Sequence, residues 1–124
     1  MTSSAPLTGL RVLDVSSVLS GPLTTMLLAD LGAEVIKVEP PTSPDFTRGT
    51  GAVRNEMTAY FYNTNRGKRA IAVDGRHYLG RKILQQLADQ ADVVVQNMRP
   101  GKAAGIGLDP DECMERNASL VYAS

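Results

Sequence analysis

The sequence predicts an α/β fold, an open parallel sheet with flanking helices, and three observations carry that prediction. Short apolar runs alternate with segments of helical spacing along the chain. The runs, Val93-Val94-Val95 among them, are continuous rather than alternating, as strands covered on both faces are. The connections are short, and parallel strands need crossovers, for which a helix is the usual solution. A length of 124 residues, 43% hydrophobic and 21% charged, suits one domain with one modest core and excludes a disordered chain.

The first strand is expected over Leu10 to Val15, where Val12, Leu13 and Val15 cluster. A small-residue loop, Ser16 to Gly21, leads to Pro22. Leu23, Met26, Leu27 and Leu31 then recur at helical spacing before Gly32, a residue suited to a left-handed cap. Ala33 to Val38 reads as the second strand, ended by Pro40-Pro41, which can donate no ladder hydrogen bonds. Residues 40 to 56 are rich in Pro, Thr, Ser and Gly; a loop this long predicts a lid or a partner-binding arm. An apolar patch at Tyr60 to Tyr62 and a basic stretch at Asn63 to Arg69 precede a third strand, Ala70 to Val73. Leu79, Ile83 and Leu87, four apart, predict an amphipathic helix over 78 to 90. Val93 to Val95 is the fourth strand. Asn97 to Gly107, with its glycines and proline, is expected to be irregular; Asp109-Pro110 opens a short helix to about Glu115; and Leu120 to Ala123 is the fifth strand.

Thirteen basic and thirteen acidic side chains give a formal charge of zero, so no overall basic field points to nucleic acid or an anionic membrane. The apolar run near the start is broken by Asp14, Ser16, Ser17 and Ser20 and has no basic leader, so a cytoplasmic protein is expected. One cysteine, Cys113, and one histidine, His77, make neither an internal disulfide nor a zinc set.

An open parallel sheet presents ligand groups beyond the carboxyl ends of its strands. Here those are Ser16 to Gly21, Glu39 to Pro41, Asp74 to Arg76 and Asn97 to Gly101, four loops expected on one face. The first feeds a helix N-terminus, which attracts anions. Gly21 is the only glycine between Ser16 and Leu23, so the glycine fingerprint of dinucleotide binding is missing, and Glu39 reads as a solvated strand end rather than a ribose ligand. Residues 66 to 82 carry a net charge of +5, which would suit a polyanion. Arg81 and Lys82 read as the wet face of a helix; Arg66, Lys68, Arg69 and Arg76 are better phosphate candidates. His77 reads as a cap or surface residue. Cys113, among acidic neighbours, is a poor nucleophile, and Ser16, Ser17 and Ser20 lack a nucleophile elbow.

Several motifs together are more specific. Leu7-Thr8-Gly9-Leu10-Arg11-Val12-Leu13-Asp14, Gly21-Pro22, the run Leu28 to Glu39, Asn65-Arg66-Gly67-Lys68-Arg69 and Asn97-Met98-Arg99-Pro100-Gly101 resemble, in order and spacing, the start of family III CoA transferases. That family includes the formyl-CoA and carnitine CoA transferases and shares its fold with alpha-methylacyl-CoA racemases. The resemblance runs from about Leu7 to Ser124. It implies a Rossmann-like large domain, a small domain and an interlocked homodimer, with residues 1–124 as the N-terminal, CoA-binding part of the large domain and the rest of the enzyme absent.

The resemblance further implies acyl-CoA and a carboxylic acid as substrates, with no metal and no NAD. CoA contacts carried over by position fall on Val18, Leu19, Ser20, Val73, Arg76, Asn97, Met98 and Arg99. Pro40 and Gly105 stand where some relatives have basic residues, so part of the phosphate contact must differ. The aspartate that becomes acylated in family transferases, and the His and Asp pair of the racemases, are both expected beyond Ser124. The reading that follows is the CoA-binding segment of an acyl-CoA transferase. The alternatives are an acyl-CoA racemase or epimerase, and a non-catalytic CoA or nucleotide-binding module if 124 residues is the native length.

Overall fold

The structure, a computed structural model, describes residues 4–124. At its centre lies β1 (Arg11–Asp14), whose Val12 and Leu13 are each 2% exposed. Burial on both faces is why Val12 and Leu13 are apolar in succession. Helix α1 (Ser20–Asp30) and β2 (Glu34–Glu39) follow. Next come a 3-10 turn (Phe46–Gly49), a small hairpin of β3 (Val53–Arg54) and β4 (Met57–Thr58), and helix α2 (Ala59–Asn65). The chain continues through β5 (Arg69–Ala72), α3 (Tyr78–Asp89), β6 (Val93–Val95), α4 (Lys102–Gly105), α5 (Pro110–Arg116) and β7 (Val121–Ala123).

The main sheet has the order β5-β2-β1-β6-β7 with every pairing parallel, which is the α/β architecture expected. Its register sets Asp14 beside Lys37 on one side and beside Val95 on the other. Because side chains alternate along a strand, the two sheet faces bury different sets. Val12, Val35 and Val95 pack with Ala33, Leu28 and Ala29. Leu13, Val38 and Val94 pack with Leu84, Leu108 and Cys113 on the other face.

The helices bury only part of what their apolar spacing marks, Met26 in α1 and, in part, Leu87 in α3. In α1 the covered positions are Gly21, Pro22, Thr25 and Met26, whereas Leu23, Leu27 and Leu31 are 39 to 51% exposed. The helix starts close against the loop after β1, where a Cβ on Gly21 would sit 2.2 Å from that of Ser16, and reaches β1 itself through Thr25, which bonds Asp14. In α3 the buried set is Gly80, Leu84 and Ala88, while Leu79 and Ile83 face outward. The cause is a close approach of helix to strand end, where a Cβ on Gly80 would lie 1.9 Å from the Asp74 carbonyl oxygen.

Three segments depart from expectation. Residues 40 to 56, read as a loop with little periodicity, contain the 3-10 turn and β3 and fold onto β4, with the Thr58 hydroxyl donating to the Thr47 carbonyl at 2.5 Å. The patch at Tyr60 to Tyr62 belongs to α2, where Thr58 caps the helix by accepting from the Phe61 N–H at 3.0 Å. Within the stretch expected to be irregular, Gly101, at φ +79°, opens the single turn of α4. The last helix follows expectation: Asp109 accepts from the N–H groups of Asp111 and Glu112 at 3.0 and 3.2 Å, with Pro110 in the first turn.

Candidate functional site

The loops that follow β1, β2, β5 and β6 enclose a cleft of about 530 Å³ at the carboxyl edge of the sheet. Its walls include Ser16, Ser17, Glu39, Val73, Arg76 and Met98, so the four loops expected to share a face do share one. Lys102, in the first turn of α4, also reaches the cleft; sequence reading passed over it because the helical turn that presents it was not foreseen.

The first loop is held at three consecutive residues. The Ser16 N–H donates to Asp14 Oδ1 at 2.9 Å and its hydroxyl bonds the same oxygen. Ser17 and Asn97 clamp one another: the Ser17 N–H donates to Asn97 Oδ1 at 2.9 Å, and Asn97 Nδ2 donates to the Ser17 carbonyl at 2.7 Å. The Val18 N–H donates to Asp45 Oδ2 at 3.2 Å. Val18 has φ +73°, a region where a β-branched residue is strained and which persists only when surrounding contacts fix it.

Beneath this loop lies a set of buried charges that the sequence reading did not assemble. The side chains of Lys37 and Asp45 are each 1% exposed, and those of Asp14 and Lys68 are 0% and 2% exposed. Lys68 Nζ donates to Asp14 Oδ2 at 2.8 Å, to the Pro22 carbonyl at 2.9 Å and to Asn65 Oδ1 at 2.9 Å. The Thr25 hydroxyl donates to Asp14 Oδ2 at 2.6 Å. Lys37 Nζ donates to the Ser16 carbonyl at 3.0 Å and faces Asp45 at 3.3 Å. Arg48 grips Glu39 with Nε and Nη2, at 2.9 and 2.6 Å, and lies 3.9 Å from the Phe61 ring centre. Among the described residues no buried side-chain nitrogen or oxygen lacks a partner.

Burial alone would raise the pKa of Asp14, but the charges of Lys68 and Lys37 outweigh it and hold the carboxyl below its ordinary range. For Glu39 burial is likewise outweighed, chiefly by the Arg48 hydrogen bond; for Asp45, by the bonds from Thr47 and the charge of Lys37. In Lys68 burial wins over the attraction of Asp14 and lowers the ammonium pKa.

Two readings are corrected here. Glu39 is buried and paired with Arg48 rather than a solvated strand end. The basic strip is not one surface: Lys68 is enclosed against Asp14, Arg66 pairs with Asp30 at 2.6 Å, and Arg69 pairs with Glu34 at 2.6 Å. Of those four candidates Arg76 alone lines the cleft; it is exposed, with Nε 3.0 Å from Asp74 Oδ1.

Among the other expected contacts, Val73 and Met98 line the cleft and Asn97 secures the first loop. Val18 is half-buried, and Leu19, Ser20 and Arg99 are exposed. None of these four belongs to the lining, though Val18 follows Ser17 and Arg99 follows Met98 directly. His77 is the N-cap of α3, with Nδ1 accepting from the Leu79 N–H at 3.2 Å. Cys113 is buried, and burial, more than the nearby acidic groups, pushes its thiol up.

The chain is matched over residues 7–124 by the pattern of CoA-transferase family III. It is 44% identical over 126 residues to human succinyl-CoA:glutarate CoA-transferase, covering all of this chain and 28% of that protein. It is 40% identical over 119 residues to formyl-CoA:oxalate CoA-transferase of Afipia carboxidovorans, covering 95% and 28%. Among solved structures, a CAIB/BAIF family protein of Brucella suis superposes with a TM-score of 0.89 at 39% identity, covering 97% of this chain and 33% of that one. The chain thus spans about a third or less of the proteins it resembles.

Proposed function

This chain belongs to CoA-transferase family III, and from that premise we propose that it supplies the coenzyme A-binding edge of an acyl-CoA transferase. The observation that carries the reading is the cleft at the carboxyl ends of β1, β2, β5 and β6, with Arg76 and Lys102 at its wall. Guanidinium and ammonium groups there suit the phosphates of CoA, and Val73 and Met98 offer apolar contact. Val18, Leu19, Ser20, Val73, Arg76, Asn97, Met98 and Arg99 are the proposed contacts.

In the proposed cycle an aspartate beyond Ser124 attacks the acyl carbonyl of the donor. The C–S bond breaks and CoA leaves as thiolate. The thiolate attacks the aspartyl carbonyl of the resulting anhydride, forming an aspartyl thioester and releasing the donor acid as its carboxylate. The acceptor carboxylate then attacks that thioester, and the freed thiolate takes the acceptor acyl group, restoring the aspartate. This segment would keep CoA in place while its sulfur changes partners, so that each return of the thiolate is effectively intramolecular. The names of the relatives, which pair succinyl-CoA with glutarate and formyl-CoA with oxalate, support carboxylic acids as the substrate class. The whole protein is, in this reading, a cytoplasmic homodimer.

Treating the full-length protein with acyl-CoA and then hydroxylamine tests this. A hydroxamate on one aspartate, together with saturable CoA binding by calorimetry, is the expected result. Absence of CoA binding would overturn the assignment of the cleft, and absence of the adduct during turnover would overturn the aspartyl route.

A further inference from the structure

We propose that Lys37 and Asp45 are positioning residues for the first loop, together holding Ser16 and Val18 in a backbone conformation the loop would not keep alone. The inference rests on the reading of the adjoining cleft as a CoA site. Its starting point is Val18, whose branched side chain crowds the backbone at φ +73°. Two side chains bear on that strained turn. Asp45 Oδ2 accepts from the Val18 N–H at 3.2 Å and faces Lys37 Nζ at 3.3 Å, and the same ammonium donates to the Ser16 carbonyl at 3.0 Å.

Neither residue is placed to act on a ligand directly. Lys37 lies within β2 at 1% exposure. Asp45 borders the cleft, but both its carboxylate oxygens are engaged: Oδ1 accepts from the Thr47 N–H and hydroxyl at 3.1 and 2.7 Å, and Oδ2 serves Val18 and Lys37. A buried ion pair adds little net stability over an apolar pair of the same size. What an apolar pair could not do is accept from the Val18 N–H and donate to the Ser16 carbonyl. The insertion after β2 is tied in as well, since the Asp45 N–H donates to Glu39 Oε1 at 3.0 Å. A residue of β2 and one of the insertion thus join Asp14 and Asn97 in setting the loop after β1.

The test uses the full-length protein and CoA itself. Asp45→Ala alone would strand the Lys37 charge and endanger folding, so the working variant is Lys37→Met/Asp45→Ala, made in two backgrounds, Val18 and Val18→Gly. Glycine adopts a positive φ without strain, so it no longer needs the tether. The expected result is a rise in the CoA dissociation constant of about tenfold in the Val18 background, shrinking to about threefold or less with Val18→Gly. Equal rises in both backgrounds, or no rise, would make the pair merely structural and overturn the inference. Hydrogen exchange on the unmutated, CoA-free protein gives a second readout that no folding defect can mask. Slow exchange of the Val18 amide is expected; fast exchange that slows only on adding CoA would overturn the inference even if the cleft binds CoA. Failure of the unmutated protein to bind CoA would instead remove the cleft assignment and, with it, this role of the pair.

Discussion

Replacing Lys68 with methionine keeps the apolar stem and deletes the ammonium, a change whose effect can be worked from the geometry. Three hydrogen bonds go, those to Asp14, the Pro22 carbonyl and Asn65, and the Asp14 carboxylate is left with no access to water. Removing one partner of a buried pair costs about 3–5 kcal/mol. Asp14 retains donors in Ser16 and Thr25 and the nearby charge of Lys37, which places the expected loss near the lower figure, about 3 kcal/mol. Urea unfolding of the full-length protein at pH 7 measures it. Asp14→Asn/Lys68→Met should recover part of the loss, because no charge is then stranded.

The pH dependence carries a sign. In the unmutated protein the Asp14 pKa is held below 3.8, so the stability it contributes is present above about pH 4 and is lost as pH falls through the folded value. Without Lys68, burial is opposed less and the folded pKa rises. The gap between variant and unmutated protein should therefore be widest near neutral pH and narrow as acid neutralises the stranded carboxylate. A loss under about 1 kcal/mol at pH 7, or a gap that widens towards acid, would refute this account of the pair.

Gly80→Ala is expected to destabilise by about 1–3 kcal/mol or more, since its Cβ would lie 1.9 Å from the Asp74 carbonyl oxygen; helix propensity alone predicts a gain of about 1 kcal/mol, so the sign of the change in urea midpoint decides. Arg76→Ala should weaken CoA binding about tenfold by calorimetry with the unfolding midpoint unchanged, because the side chain is exposed; unchanged affinity would remove it from the site. Cys113→Ser should lower the melting temperature and leave intact the turnover proposed for the full-length protein, as a thiol buried in the core and raised by burial is no nucleophile; loss of that turnover in a folded variant would contradict this.

The inner strands β1, β2 and β6 were legible because burial on both faces writes them as largely apolar runs, the edge strands β5 and β7 only from their short apolar stretches between polar segments, and α5 because Asp109 and Pro110 are a local signal. Helix α2 was not legible. It is seven residues long, and what fixes it comes from elsewhere: its cap, Thr58, is the last residue of the hairpin, and Arg48 stacks on Phe61. The cleft's place followed from topology, yet the chemistry beside it was only half visible. Lys37 within Val35-Ile36-Lys37-Val38, and Asp14 after Val12-Leu13, were charges set in buried runs, a sign that each needs a partner. Those partners lie 8 and 54 residues away along the chain, beyond any local pattern. Counting Arg66, Lys68 and Arg69 as one basic strip failed for the same reason, since each answers a distant carboxylate.

The order β5-β2-β1-β6-β7 also governs how the molecule is made. Among the described residues the central strand comes earliest along the chain, and one of its two neighbours, β6, begins some eighty residues later. Until Val93 to Val95 leave the ribosome, the flank of β1 that bonds them has no mate, and its unpaired amides and carbonyls are an open edge of the kind that invites foreign strands. The first half of the chain can close β1, α1 and β2 on one another early, but the other flank of β1 is paired late. Substitutions that weaken β6 should therefore be read first in yield and aggregation of the nascent protein, and only afterwards in the stability of the molecules that survive.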